Sequence, residues 1–119
     1  MNLAELFRHQ TDLKVLAAGE TLFKEGDTPA ELMYVLMSGN AEISVRGKRV
    51  EVAGEGAILG EMAMIDDAPR SATVVAQTEC RVLPIERPRF NFLIQQTPNF
   101  AVHVMRVLAD RLRRVDARL

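Results

Sequence analysis

Residues 60–73 constrain the fold more than any other part of the chain. They read Gly-Glu-Met-Ala-Met-Ile-Asp-Asp-Ala-Pro-Arg-Ser-Ala-Thr. Gly60 has no Cβ, so the backbone can approach a neighbour or a ligand closely. Residues 61–65 are mostly good helix formers, which predicts a short helix starting at the glycine. Residues 66–69 are typical of a turn. The segment is therefore predicted to fold as a helix, a turn and the beginning of a strand.

The same segment has the features of an anion-binding site. The N-terminus of a helix presents unpaired N–H groups and a partial positive charge, which suit a phosphate. The predicted turn would bring Arg70 back towards that helix start. A guanidinium offers a planar set of donors that matches phosphate oxygens, and Ser71 adds a hydroxyl. We therefore expect these groups to converge on one anion.

From residue 13 to residue 85 the sequence predicts short strands separated by turns, many of which contain glycine. Residues 41–46 alternate apolar and polar side chains, as expected for a half-buried strand. Strands are predicted at residues 14–16, 21–23, 32–38, 40–46, 48–52, 58–59, 71–76 and 80–85. Many short strands at this spacing are typical of a sandwich or barrel.

Helical patterns flank the strands. Residues 2–9 predict a short amphipathic helix, and Pro88 stands where a second helix begins, since its missing N–H is harmless there. Thr97 is a suitable N-cap for a longer helix over residues 98–117. The apolar stripe of that helix comprises Phe100, Val104, Val107, Leu108, Leu112 and Val115. Its outer face is predicted to be basic, with Arg106, Arg111, Arg113, Arg114 and Arg118.

Residues 60–73 resemble the phosphate-binding cassette of the cyclic nucleotide-binding domain family. Three further segments extend the resemblance over nearly the whole chain: Gly-Glu-Thr-Leu-Phe-Lys-Glu-Gly-Asp at 19–27, Met-Tyr-Val-Leu-Met-Ser-Gly at 33–39, and Gly-Glu-Gly-Ala-Ile-Leu-Gly at 54–60. We expect an α+β fold: an antiparallel β-roll, in the form of a jelly-roll-like barrel, with a short N-terminal helix, a cassette helix and two C-terminal helices. The single domain of residues 1–119 would divide into the N-terminal helix (1–12), the β-roll (13–86) and the C-terminal helices (87–119).

The resemblance implies a ligand-binding set of Gly60, Glu61, Met62, Ala63, Arg70 and Ser71. In it, Arg70 pairs with the exocyclic phosphate oxygens, the N–H groups of Met62 and Ala63 also bind the phosphate, and Glu61 accepts from the ribose 2′-hydroxyl. Ser71 would donate to the phosphate or to a guanine edge. From the residues alone, Arg70 could instead be a surface arginine, Glu61 an acid favoured by the helix dipole, and Ser71 a plain strand residue.

The base pocket and its cover are less constrained by the pattern. Val50, Ile58 and Leu59 are either core residues or part of the pocket that holds the base. In the family the last helix closes over the base, which makes Arg106 and Arg113 candidates for stacking on it. Both could equally be solvated arginines.

Other kinds of site find little support. The net charge is −1, so bulk electrostatics implies neither a nucleic-acid nor a membrane partner, and no apolar run approaches the about 18 residues that span a bilayer. The single cysteine, Cys80, suits a reducing cytoplasm and reads as a small buried hydrophobe. No metal site is expected, because His9 and His103 lack partners at ligand spacing. No nucleophile–base arrangement is visible, so an enzyme is not expected.

The sequence therefore predicts a regulatory sensor that binds a cyclic nucleotide, cAMP before cGMP, with no other cofactor. The alternative is the same fold used as a ligand-independent interaction or assembly module, and a phosphodiesterase is a distant third. No DNA-reading element is expected after Leu119. We thus expect no direct DNA binding, and either a lone domain acting through a homodimer or protein partner of its C-terminal helix, or one piece of a longer protein.

Overall fold

The computed structural model describes residues 1–118, with the side chains of residues 1–116. Three α-helices are present: α1 (Leu3–Leu6), α2 (Arg87–Gln96) and α3 (Pro98–Arg118). A 3₁₀ helix, Glu61–Met64, is called the cassette helix below. The eight strands are β1 (Lys14–Leu16), β2 (Thr21–Phe23), β3 (Leu32–Ser38), β4 (Ala41–Val45), β5 (Lys48–Ala53), β6 (Ile58–Leu59), β7 (Thr73–Ala76) and β8 (Cys80–Glu86). Leu119 and the side chain of Arg118, both assigned above to the C-terminal helices, lie outside this description.

The strands form two four-stranded antiparallel sheets. One has the order β1-β8-β3-β6 and the other the order β2-β7-β4-β5. Within residues 1–118 no strand of one sheet pairs with a strand of the other, so the sheets stay open at their edges rather than closing into a barrel. The predicted α+β roll is confirmed, and its barrel-like character is corrected to two facing sheets.

Two segment boundaries differ from the prediction by more than one residue, for local reasons. The helix expected over residues 2–9 is a single turn, capped where the Asn2 side chain accepts from the Glu5 N–H. The strand expected from residue 71 begins at Thr73. The residues just before Thr73 pair with the turn at Gly26 and Asp27 instead of with a strand. The Gly26 N–H donates to the Arg70 carbonyl, and the Arg70 N–H donates to the Asp27 carbonyl.

The core has two parts, separated by β3. Alternate residues of β3 point to opposite faces: Tyr34 and Leu36 pack between the two sheets, whereas Met33 and Val35 pack under the helices. The helical part of the core includes Leu3, Phe7, Ile58, Met64, Phe90, Phe100 and Val104. Because helices cover its outer face, β3 is buried on both sides. This arrangement joins the cassette helix, α2 and α3 in one apolar cluster.

Cys80 is fully buried on β8, and burial raises the pKa of its thiol, as suits a small core residue. In the part of the chain that the structure describes, no helix is long and apolar enough to cross a membrane. The same residues contain no cluster of side chains that could hold a metal ion.

Candidate functional site

A cavity of about 270 Å³ lies between the second sheet, the cassette helix and α3. The strands and α3 give it apolar walls: Phe23, Ile43, Val45, Val50, Leu59, Val74, Leu108, Leu112 and Val115. Its charged or hydroxylated side chains are Glu61, Arg70, Ser71 and Arg111. Arg111 bonds to Glu61, and Arg70 bonds to the carbonyl of the adjacent Gly60, so these three side chains lie at one end of a cavity whose other walls are apolar. That composition is typical of small-molecule sites.

Gly60 shapes the polar end of the cavity. Its φ is +74°, a conformation that side chains of L-residues rarely adopt. A Cβ at this position would also lie 2.5 Å from Arg70 Nη1 and 3.1 Å from Phe23 Cε2. Only glycine lets the arginine pack against the backbone here.

The cassette helix places backbone donors beside Gly60. The Ala63 N–H already donates to the Gly60 carbonyl over an N···O distance of 3.2 Å. The Met62 N–H finds no backbone acceptor within residues 1–118. Both residues line the cavity. Of the two predicted phosphate donors, Met62 is thus the one open to an added acceptor.

Arg70 is buried, with 7% of its surface exposed, and its guanidinium lies 4.1 Å from the centre of the Phe23 ring. Nη1 donates to the Gly60 carbonyl at 3.1 Å, and Nη2 donates to the Pro29 and Leu32 carbonyls at 2.9 Å each. A guanidinium has five N–H groups, so two remain for a ligand. The alternative of a surface arginine is excluded by this burial.

Burial lowers the pKa of Arg70, while Tyr34, Asp27 and Glu61 act in the opposite direction. Arginine's ordinary pKa is so high that the side chain stays charged. A full positive charge with two spare donors therefore faces a cavity with apolar walls, which favours an anionic ligand.

Arg111 of α3 bridges two carboxylates. Its Nη1 donates to Glu61 Oε1 at 2.8 Å, and its Nε donates to Glu51 Oε1 at 2.9 Å. Glu51 also pairs with Arg114, at 3.1 Å. Burial lowers the pKa of Arg111, but the two carboxylates outweigh that effect and raise the pKa above its usual value. Glu61 is therefore held by the C-terminal helix.

The prediction from sequence missed Arg111, because it placed this residue on the basic outer face of the long helix. That assignment is wrong, because Arg111 lines the cavity together with Leu108, Leu112 and Val115. Relative to Leu108 these residues lie three, four and seven positions along the helix, so all four share one face. The position of Arg111 between Leu108 and Val115 of the apolar stripe could have indicated that it faces the core. It was instead interpreted as a solvated arginine.

The remaining predicted residues divide between the cavity and other surroundings. Ser71, Val50 and Leu59 line the cavity. Ile58 does not, because successive residues of β6 face opposite ways and Ile58 packs under the helices.

The structure also keeps the two predicted covering arginines away from the cavity. Arg113 has a side chain that is 74% exposed and pairs with Asp110 at 2.9 Å. Arg106 borders a separate groove beside Met1 and His103. They lie off the face of α3 that carries Arg111.

An apolar cavity between a sheet, the cassette helix and α3, with an arginine, a glutamate and a helix start at one end, has the features of a site for a small anionic ligand. The chain belongs to the cyclic nucleotide-binding domain family, whose model matches residues 13–97.

Individual relatives agree with that assignment. The chain is 30% identical over 106 residues to a CRP-like cAMP-activated global transcriptional regulator of Mycobacterium tuberculosis, covering 85% of this chain and 47% of the regulator. It is 40% identical over 84 residues to a cAMP-dependent protein kinase regulatory subunit of Emericella nidulans, covering 69% of this chain and 20% of the subunit. The crystal structure of the Thermus thermophilus catabolite activator protein superposes with a TM-score of 0.75 at 26% identity, covering 94% and 60% of the two chains. The chain thus spans about half the length of the regulator and a fifth of the kinase subunit.

Proposed function

We propose that this chain binds a cyclic nucleotide, cAMP in first place, and acts as a regulatory sensor rather than a catalyst. The observation that carries the proposal is the position of Arg70, charged and buried beside Gly60 and the open Met62 N–H at the polar end of the cavity. We also propose that the protein is cytoplasmic, because its single cysteine is buried and unpaired.

In this proposal the phosphate accepts from the two spare N–H groups of Arg70 and from the Met62 N–H. The ribose 2′-hydroxyl donates to Glu61, whose carboxylate has capacity beyond its one bond to Arg111. The base lies against the apolar walls, which include Val50, Leu59 and Leu112. A carboxylate beside a phosphate is repulsive on its own. Arg70 offsets the repulsion, and a ligand hydroxyl gives Glu61 a donor.

The lining favours adenine over guanine. Guanine carries a carbonyl and one more N–H donor than adenine, and burying such groups without partners is unfavourable. Of the uncharged polar side chains in the lining, only Ser71 could meet a base edge. The related mycobacterial regulator is also described as cAMP-activated. We therefore rank cAMP above cGMP.

Calorimetric titration with cAMP, cGMP and 5′-AMP tests this proposal. We expect cAMP to bind most tightly, cGMP more weakly, and 5′-AMP weakest, because its phosphate carries a second negative charge beside Glu61 and is not held in the cyclic geometry. Absence of binding by either cyclic nucleotide would contradict the proposal. Analysis of the recovered ligand tests the catalytic alternative, since a phosphodiesterase would convert cAMP to 5′-AMP.

A ligand-independent module is the second candidate, and one observation favours it. Arg70 has three backbone acceptors, and Glu61 has Arg111 as a partner. A domain whose arginine and glutamate are held by the protein itself could serve assembly alone. The same titration separates the two candidates, since such a module would bind none of the three nucleotides.

We further propose that α3 reports occupancy. Three of its apolar residues and Arg111 form one wall of the cavity, so a ligand there changes the contacts of α3 directly. A ligand shifts a conformational equilibrium only through its different affinity for the two states, and a contact with α3 that exists in one of the two states would provide that difference.

Hydrogen exchange tests the role of α3. Amides of residues 104–112 should slow when cAMP is added, in addition to the slowing expected at residues 60–63, because the base restrains the helix that covers it. Residues 80–83 of β8, which lies in the other sheet and contributes no residue to the cavity lining, serve as an internal reference. Slowing confined to the cassette would show that α3 is not the reporter.

The output is proposed to pass through a protein partner or a second copy of the chain rather than through DNA contacts of this domain. Val102 and Met105 are exposed apolar residues of α3, and neither lines the cavity. They are three positions apart, as neighbouring core positions of a coiled coil are. That spacing gives α3 a face on which another helix could pack.

A further inference from the structure

Arg87, the first residue of α2, reaches back across the chain to the cassette helix. Its Nη2 donates to the Ala63 carbonyl at 2.8 Å, and its Nη1 donates to the Met64 carbonyl at 3.2 Å. The side chain of Arg87 thus contacts another element rather than the helix that it begins. The N-cap residue of that helix, Glu86, makes no capping bond with its side chain.

The two acceptors are the carbonyls at the C-terminal end of the cassette helix. A helix leaves its last carbonyls without partners, and cations are favoured at that end. The Met62 carbonyl accepts from the N–H groups of Ile65 and Asp66. For the carbonyls of Ala63 and Met64, Arg87 is the one donor found within residues 1–118. The cassette helix therefore meets the proposed phosphate at its start and Arg87 at its end.

A second contact connects Arg87 to the same site by another path. Its Nε lies 3.4 Å from Glu31 Oε1, in an exposed pair of the kind that adds little stability. Glu31 belongs to a turn whose Ala30 and Glu31 both have positive φ, at 55° and 53°. Non-glycine residues keep such angles only where neighbours hold them. The carbonyls flanking this pair, those of Pro29 and Leu32, are the acceptors of Arg70 Nη2.

We propose that Arg87 is a positioning residue that couples the ligand site to α2. Arg70 and Arg87 hold opposite ends of the cassette helix and the same turn, so a shift of the cassette on ligand binding moves the carbonyls to which the start of α2 is bonded. Met64 then transmits the shift to the cluster that contains Phe90 and Phe100. This inference rests on the proposed function for its ligand.

Hydrogen exchange on three variants of the full chain tests the coupling. Arg87→Met replaces the guanidinium by an unbranched apolar group and so removes the donors, and Arg87→Lys keeps one donor group. Arg89→Met is the matched control, because it changes an arginine of the same helix that lies against Phe7 rather than the cassette. The readout is the ratio of exchange rates with and without cAMP, at residues 60–63 and at residues 91–96 of α2.

In the wild type and in Arg89→Met, cAMP should slow exchange in both segments. In Arg87→Met the slowing should persist at residues 60–63 and be lost at residues 91–96, with partial recovery in Arg87→Lys. A purely structural cap would leave the ligand response of α2 intact. Equal slowing of α2 in Arg87→Met and wild type would therefore overturn the proposal.

A second arm of the experiment needs no nucleotide. Coupling between two sites is reciprocal and can be read from a double-mutant cycle. Arg70→Lys should speed exchange at residues 91–96 when Arg87 is present and fail to do so in the Arg87→Met background; equal speeding in both backgrounds would overturn the coupling. If cAMP does not slow the wild-type cassette, the proposed function fails, and this second arm still decides the role of Arg87.

Discussion

Arg70→Ala should weaken cAMP binding by about 30- to 1000-fold, which corresponds to roughly 2–4 kcal/mol of lost charge-assisted hydrogen bonding. The substitution removes the positive charge and both spare donors from the polar end of the cavity. It also leaves the Gly60, Pro29 and Leu32 carbonyls without their donor. We therefore expect the free energy of unfolding to fall by about 1–3 kcal/mol as well.

Calorimetry at a temperature where circular dichroism shows the variant folded separates the two effects. Arg49→Ala is the matched control, because Arg49 lies on β5 with a side chain 58% exposed and only a long contact to Glu42. It should change neither binding nor stability appreciably. A folded Arg70→Ala variant with wild-type cAMP affinity would disprove the site.

Glu61→Gln should weaken cAMP binding by about 1–2 kcal/mol, or roughly 5- to 30-fold, and leave the binding of 2′-deoxy-cAMP nearly unchanged. Glutamine keeps the shape of the side chain and one acceptor oxygen but removes the charge that strengthens a bond from the ribose hydroxyl. Comparing the two ligands cancels effects that they share, including the altered contact with Arg111.

Glu51→Gln is the control for Glu61→Gln. Glu51 is the other carboxylate partner of Arg111, so its substitution also disturbs Arg111 without removing the proposed ribose acceptor. It should change the affinities for cAMP and 2′-deoxy-cAMP by the same factor. If Glu61→Gln does likewise, Glu61 does not contact the ribose.

The strands and helices could be predicted well because local signals determine them. Alternation in β4, the proline at the start of α2 and the run from Gly60 to Met64 depend on neighbouring residues. Whether the sheets close into a barrel depends on how their edge strands meet, which no local pattern specifies. The sequence therefore left a sandwich of two open sheets and a closed barrel as alternatives.

Individual site residues were predictable to the extent that the cassette carries them. Gly60, Glu61, Arg70 and Ser71 lie within one continuous motif, and all four line the cavity. Arg111 comes from α3, 50 residues beyond Glu61. Its role depends on which face of the helix packs on the roll, and a rotation by one residue turns an inward side chain by about 100°. Sequence pattern alone left that rotation open, so Arg106 and Arg113 were considered in its place.

The most direct test of the account is a crystal structure of the chain grown with cAMP. We expect the cyclic phosphate within hydrogen-bond distance of Arg70 and the Met62 N–H, the ribose 2′-oxygen beside Glu61, and the base under α3. A nucleotide bound on another face of the protein, or an empty cavity at saturating cAMP, would contradict the assignment of this cavity as the cyclic nucleotide site.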